Sequence, residues 1–229
     1  MSKKEIYFIR HGESEYNEWR RRSFYNCSCL CVCDPMIYDP ALSKKGKRQV
    51  EELRSTVQGL NGIASKVQLV VTSPLSRAID TCLGAFFSTE DGDDDTNNTT
   101  TDNTATRLYG QRPLVCALPR ERLDTSGDIG LPVSELQDKY LDRLNLSELI
   151  QTQQPEAWWY DQGDVPKEGA RFIRRESKKR TKERVKEFCI WLNNRPETCI
   201  AVVGHSSYIK LLTKMSRKLN NCEIKRFDI

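Results

Sequence analysis

The stretch EIYFIRHG, residues 5–12, determines how the rest of the chain is interpreted. Its apolar run, IYFI, is typical of a strand. The strand ends in Arg10 and His11, and a glycine follows at once. In open parallel sheets, ligands bind beyond the carboxyl ends of the strands. One of the two histidines of the chain is therefore expected at a binding site.

Apolar runs and helical patterns alternate along the whole chain. The helical pattern at 43–60 places Val50, Leu53 and Val57 on one face. The alternation predicts an α/β fold, a three-layer α/β/α sandwich with a mainly parallel central sheet. The predicted strands are 5–9, 67–72, 112–118, 198–204 and 222–229, and the further predicted helices are 73–87, 170–194 and 207–219.

Length and composition narrow the classes of protein. The 229 residues, with a net charge of +4, suit one domain spanning 1–229 and do not by themselves indicate nucleic-acid binding. Without a secretion signal or a run of about 20 apolar residues, a cytoplasmic protein with no membrane contact is expected. Residues 88–107 are acidic and rich in Thr and Asn, which predicts a flexible insertion in that domain.

Charged and histidine side chains follow the predicted strands directly. Such a concentration of cations is costly unless an anion neutralises it. Arginine forks match phosphate oxygens, and a helix beginning near Ser206 adds backbone N–H groups. A neutral histidine could then attack phosphorus, without a metal or another cofactor. The residues at the strand ends are Arg10, His11, Arg77, Arg120, Glu121, Arg122 and His205.

Four segments resemble the histidine phosphatase superfamily, also called phosphoglycerate mutase-like. They are RHGESEYN at 10–17, DPALSKKGKRQ at 39–49, TSPLSRAIDT at 72–81 and VVGHS at 202–206. They occur in the order in which that family has them. The resemblance implies the family fold and a phosphohistidine intermediate on His11.

The resemblance also implies roles for further residues. Arg10, Arg77 and His205 would complete the phosphate pocket, and Glu121 would be the proton donor. Weaker matches place Ser14 and Asn17 beside the pocket, and Ser206 would bind substrate through its helix start. Asp124 and Asp128 are alternative acids, although SGD is also common turn chemistry.

Residues 18–40 lack the Gly-Trp element that mutases of this family usually carry. A phosphatase acting on a small phosphorylated molecule or a phosphoprotein is therefore favoured. A cofactor-dependent phosphoglycerate mutase and a non-catalytic phospho-ligand binding protein are the alternatives.

Two segments carry unusual composition. The run CSCLCVC at 27–33 is interpreted as a variable loop, because zinc sites usually use Cys-x₂-Cys pairs. The basic run at 171–188 is interpreted as a solvated helix face with Phe172, Val185 and Phe188 turned inward.

Overall fold

A mixed five-stranded sheet forms the centre of the molecule. The computed structural model describes residues 3–25, 34–87, 111–160 and 175–229. The strand order is β3-β2-β4-β1-β5, and only β5 runs antiparallel, against β1. This confirms the predicted α/β class with a mainly parallel sheet. The strands are β1 (Glu5–Arg10), β2 (Leu69–Thr72), β3 (Leu114–Val115), β4 (Cys199–Gly204) and β5 (Ile224–Asp228).

Helices cover both faces of this sheet. None of the helices in the described ranges is long and apolar enough to cross a membrane. Short 3₁₀ turns at 63–65, 126–128, 141–143 and 155–157 complete the connections. The α-helices are α1 (Glu15–Tyr25), α2 (Lys44–Gln58), α3 (Ser76–Phe86), α4 (Val133–Tyr140), α5 (Ser147–Ile150), α6 (Lys178–Asn194) and α7 (Ser206–Thr213).

The alternation of side chains along β1 produces the three layers. Tyr7 and Ile9 pack in one core with residues of α2 and α3. Ile6 and Phe8 pack in a second core with residues of α6 and α7. Successive side chains of a strand point to opposite faces of the sheet. A strand that is apolar throughout is therefore buried on both faces, under one helical layer on each side.

The elements differ from the sequence prediction in several places. Helices α4 and α5 were not predicted. Helix α1 was not predicted, because its sequence, EYNEWRRRSFY, is mostly polar and shows little apolar periodicity. Strand β3 has two residues, flanked by Pro113 and by a turn at 117–119 that leaves the ladder. Helix α6 begins at Lys178, after its cap Ser177. The predictions for 27–33, 88–107 and 161–174 lie outside the described residues.

Close backbone contact joins α2 to the loop that follows β1. Gly46 is buried in the first turn of α2, where its N–H donates to the Ser43 hydroxyl at 3.0 Å. A Cβ on Gly46 would lie 2.0 Å from the carbonyl oxygen of Glu13. Ser43 N–H also donates to that carbonyl, at 2.9 Å. The loop carrying His11 is thus fixed against a helix that tolerates only glycine at this position.

Gly46→Ala is expected to destabilise the protein by about 2 kcal/mol, lowering Tm by roughly 4–8 °C. In an unobstructed helix the same change stabilises by about 0.5–1 kcal/mol, because glycine loses more backbone entropy. Helix propensity alone would thus predict that Gly46→Ala stabilises the protein, whereas the close contact predicts that it destabilises it. Thermal and urea unfolding measure the effect, with Glu51→Ala, on an exposed site of the same helix, as the control. A variant at least as stable as the parent would contradict the close contact.

Candidate active site

A cavity of about 780 Å³ opens at the carboxyl ends of β1, β2 and β4. Seven of the eight site residues predicted from the sequence line it. The eighth, His205, is fully buried, with its ring centroid 5.0 Å from that of His11. The seven are Arg10, His11, Ser14, Asn17, Arg77, Glu121 and Ser206.

The His11 ring is oriented by the backbone. Its Nδ1 lies 2.6 Å from the carbonyl oxygen of Gly12. A carbonyl only accepts hydrogen bonds, so Nδ1 carries the ring proton and Nε2 carries the lone pair. The backbone of His11 is fixed too: its N–H donates to Gly204 at 3.0 Å, and Asn221 Nδ2 donates to its carbonyl at 2.9 Å.

The His205 ring is oriented by Ser73, a residue the sequence reasoning did not single out. Its Nε2 lies 2.8 Å from the Ser73 hydroxyl oxygen. That oxygen also accepts from the N–H of Leu75 at 3.4 Å. In the tautomer in which Nε2 carries the lone pair, the Ser73 hydroxyl donates its proton to Nε2. The ring proton of His205 then sits on Nδ1, which is buried and has no hydrogen-bonding partner within the described ranges. A buried donor of this kind is suited to an anionic ligand.

Both imidazoles are held neutral. Burial lowers the pKa of His11 well below 6.5, and the charges of Arg77 and Arg10 lower it further. Burial likewise lowers the pKa of His205 well below that value, helped by Arg77 and by His11. A neutral imidazole with a free Nε2 is the nucleophilic form of histidine.

The two guanidiniums are anchored mainly by backbone carbonyls. Arg10 Nη1 donates to Leu219 O at 2.8 Å, while its Nε is buried and unpaired among the described residues. Arg77 Nη1 donates to Gly127 O at 2.5 Å, and its Nη2 lies 3.1 Å from Asp128 Oδ1. The carbonyl that holds Arg10 does not neutralise it, so the positive charge of Arg10 remains at the cavity floor, whereas Arg77 shares its charge with Asp128.

Among the described residues, three carboxyl groups line the cavity, in different surroundings. Burial raises the pKa of Glu121, and the nearby Asp128 raises it further. Asp128 Oδ2 accepts from Thr125 N–H at 3.1 Å and from Asp124 N–H at 3.2 Å, which closes the 126–128 turn. Asp124 pairs with Arg122 at 3.2 Å. Burial raises the pKa of Asp128 too, while Arg77 and these hydrogen bonds to its carboxylate lower it. Among the described residues Glu121 accepts only one backbone N–H, from Arg122 at 3.0 Å, so it is the carboxyl better suited to carry a proton.

Ser14 and Asn17 form a reciprocal pair at the start of α1. Asn17 N–H donates to the Ser14 hydroxyl at 3.2 Å, and Ser14 N–H donates to Asn17 Oδ1 at 3.4 Å. This pair resembles a capping box with Asn in place of Glu or Gln. The spacing Ser-x-x-Asn was the sequence signal that could have predicted α1.

A buried arginine of α6 supports the loop that carries Glu121. The side chain of Arg184 is inaccessible to solvent and makes a bidentate pair with Glu176, at 3.0 and 2.8 Å. It also donates to the carbonyls of Leu118 and Arg120, at 2.6 and 2.8 Å. The prediction of a solvated basic face is wrong at this position, because the guanidinium satisfies backbone groups of the 118–121 loop.

Arg184→Met is expected to destabilise the protein by about 3–5 kcal/mol, since it leaves the Glu176 carboxylate buried without its partner. The double variant Arg184→Met/Glu176→Gln should lose less stability than Arg184→Met alone, because it no longer buries an unpaired Glu176 carboxylate. Urea unfolding of both single variants and the double variant measures this coupling. Losses that simply add would contradict the assignment of Arg184 and Glu176 as one buried unit.

The electrostatics of the cavity favour an anion. Its described lining contains eight basic and three acidic side chains. Within the described ranges, no group of three or more His, Cys, Asp or Glu side chains is arranged to hold a metal ion. Phosphate is the anion that best matches arginine forks and two neutral imidazoles.

Comparisons with known proteins agree with the sequence motifs. A model of the histidine phosphatase superfamily (branch 1) matches residues 6–88. A phosphoglycerate mutase-like protein of Arabidopsis thaliana is 28% identical, with 99% of this chain and 84% of the relative covered. Another, phosphoglycerate mutase-like protein 1 of the same plant, is 26% identical over 90% of this chain and 69% of its own length.

A solved structure shows the same fold at low identity. Phosphoglycerate mutase from Bacillus anthracis superposes with a TM-score of 0.55 and 12% identity, covering 100% of this chain and 88% of its own. At that identity the likeness establishes the three-layer fold alone.

Proposed function

We propose that this chain, a member of the histidine phosphatase superfamily, hydrolyses a phosphomonoester through a phosphohistidine on His11. The observation that carries the proposal is the His11 ring, neutral and fixed through Nδ1 in a cationic cavity. An imidazole so placed is of little use as a charge carrier but well suited as a nucleophile.

In the first half-reaction, the phosphate oxygens bind Arg10, Arg77 and His205 Nδ1–H. His11 Nε2 attacks phosphorus, an N–P bond forms, and the bond from phosphorus to the ester oxygen breaks. Glu121 donates its proton to that oxygen, so the alcohol leaves neutral. Burial and Asp128 raise the pKa of Glu121, which keeps this proton available.

In the second half-reaction, water replaces the alcohol. The Glu121 carboxylate accepts a proton as the water oxygen attacks phosphorus, and the N–P bond breaks. Inorganic phosphate leaves, and both His11 and Glu121 return to their starting forms. The fixed guanidiniums neutralise the equatorial oxygens throughout, which is the main contribution a protein makes to phosphoryl transfer. We propose that this cationic floor lets the reaction proceed without a metal.

His11→Ala should abolish turnover on every phosphate ester, since no other group forms the covalent intermediate. Glu121→Gln should act selectively, because a leaving group that departs as a stable anion needs no proton. Its rate on an alkyl phosphate should fall by about 10²–10⁴, with a small change on an activated aryl phosphate. Released phosphate measures both substrates on both variants, with and without a chelator.

Asp128→Asn and Asp124→Asn serve as the matched control carboxyls in the same cavity. If either showed the selective alkyl defect instead, the acid would be assigned to the wrong residue. Substantial hydrolysis by His11→Ala would overturn the phosphohistidine mechanism. Adding a second alcohol as acceptor distinguishes a phosphatase from a mutase, since a mutase passes the phosphoryl group to a hydroxyl.

The pH dependence of kcat/KM follows from the shifted pKa values of His11 and Glu121. His11 must be neutral, so kcat/KM should fall only at a pH well below 6.5. Glu121 must be protonated, so kcat/KM on an alkyl phosphate should fall again above its raised pKa. Glu121→Gln cannot titrate and should lose this alkaline limb while keeping the acid limb. An unchanged alkaline limb in that variant would assign the limb to another group.

A further inference from the structure

Four lysines line the cavity outside the residues assigned to the transferred phosphate. They are Lys178 and Lys182 on α6, Lys210 on α7, and Lys218 in the loop after α7, here called the lysine rim. Lys178, Lys182 and Lys218 are exposed, and Lys210 is half-buried. In the part of the chain that the structure describes, none of the four has a carboxylate partner.

The acidic side chains of the cavity do not balance this charge. Asp128 is paired with Arg77, and Asp124 is paired with Arg122 and Arg175. The remaining acid, Glu121, has a raised pKa and is the proton carrier of the proposed reaction. The lysine rim thus adds positive charge that the described chain leaves uncompensated.

The position of the rim relates it to the leaving group. Lys218 is close enough to Glu121 to counteract the rise in the pKa of that carboxyl. Its neighbour Leu219 accepts the hydrogen bond of Arg10. Glu121 protonates the ester oxygen in the proposed reaction, so the rim begins on the side where the leaving group lies.

The spacing of the rim residues places them on surfaces that face the cavity. Lys178 and Lys182 are four residues apart on α6, hence neighbours on one helix face, and Thr181 beside them also lines the cavity. Lys210 follows Ser206 by one turn of α7. A cavity of about 780 Å³ holds a molecule well beyond the size of a phosphate group.

We propose that the lysine rim binds a second anionic group on the leaving-group side of the substrate, a phosphate or a carboxylate. This rests on the proposed function. The preferred substrate is then a phosphomonoester whose alcohol carries a further negative charge at a distance from the ester. Lysines suit this contact because a flexible point charge follows an anion whose position varies.

The test compares two substrates that differ only in the distal group: butane-1,4-diol monophosphate and butane-1,4-diol bisphosphate. The parent enzyme should prefer the bisphosphate by about tenfold in kcat/KM, beyond the statistical factor of two. The preference should weaken as salt rises from about 0.05 to 0.5 M, because exposed charges are screened. Lys178→Gln/Lys182→Gln should reduce the preference to about the statistical factor.

Lys179→Gln/Lys186→Gln is the matched control, with the same charge change at two exposed sites of α6 that do not line the cavity. It should keep the preference of the parent enzyme. An equal reduction in both double variants, or no preference in the parent, would overturn the rim as a binding site.

A binding measurement tests the lysine rim independently of whether the protein hydrolyses phosphate esters. The thermal stabilisation by butane-1,4-diol bisphosphate, relative to that by inorganic phosphate, is measured on the same three proteins. A bisphosphate advantage that only the Lys178→Gln/Lys182→Gln variant loses supports the rim even if nothing is hydrolysed. Equal advantages in all three proteins would overturn the rim whether or not hydrolysis occurs.

Discussion

The arrangement of the site depends on one electrostatic constraint: two imidazoles and two guanidiniums share the buried end of a single sheet. The ring centroids of His11 and His205 are 5.0 Å apart, and the charges of Arg10 and Arg77 act on both rings. Four positive charges so confined would repel one another strongly. Burial, which is the larger cause, and this repulsion together lower the pKa of both rings, so the rings stay neutral. The parallel topology brings these four side chains together at one end of the sheet. The resulting neutral form of His11 is the form that can act as a nucleophile.

The chain fixes these groups with dipoles more than with charges. His11 is oriented by the carbonyl of Gly12 and His205 by the hydroxyl of Ser73. Among the described residues, Arg10 is anchored by a carbonyl, and Arg77 meets a carbonyl and a carboxylate. Neutral anchors supply geometry without cancelling charge, so the cavity floor keeps its attraction for an anion. A site built from full ion pairs would be as rigid but would have to break them to bind phosphate.

The alternation of apolar runs predicted β1 and β4 and the mainly parallel sheet to which they belong, since strands apolar on both faces need two covering layers. Reading the residues just beyond those strands led to His11 and His205. Helix α1 escaped prediction because it has little apolar periodicity, and Ser14 and Asn17 define its start. Arg184 escaped because sequence does not show which cation in a basic run faces carbonyl groups; that depends on the tertiary position of the 118–121 loop.

Helix α6 shows how one basic run can serve two purposes. Arg184 faces the core and forms hydrogen bonds in several directions, which only a planar guanidinium supplies. Lys178 and Lys182 lie six and two residues before it, about one and two-thirds turns and half a turn, and their exposed side chains line the cavity. Exchanging the residue types would harm both roles, since a lysine at 184 could not satisfy the pair with Glu176 and the carbonyls together. The composition of the run is thus set by two environments, one inside the fold and one in front of the proposed phosphate site.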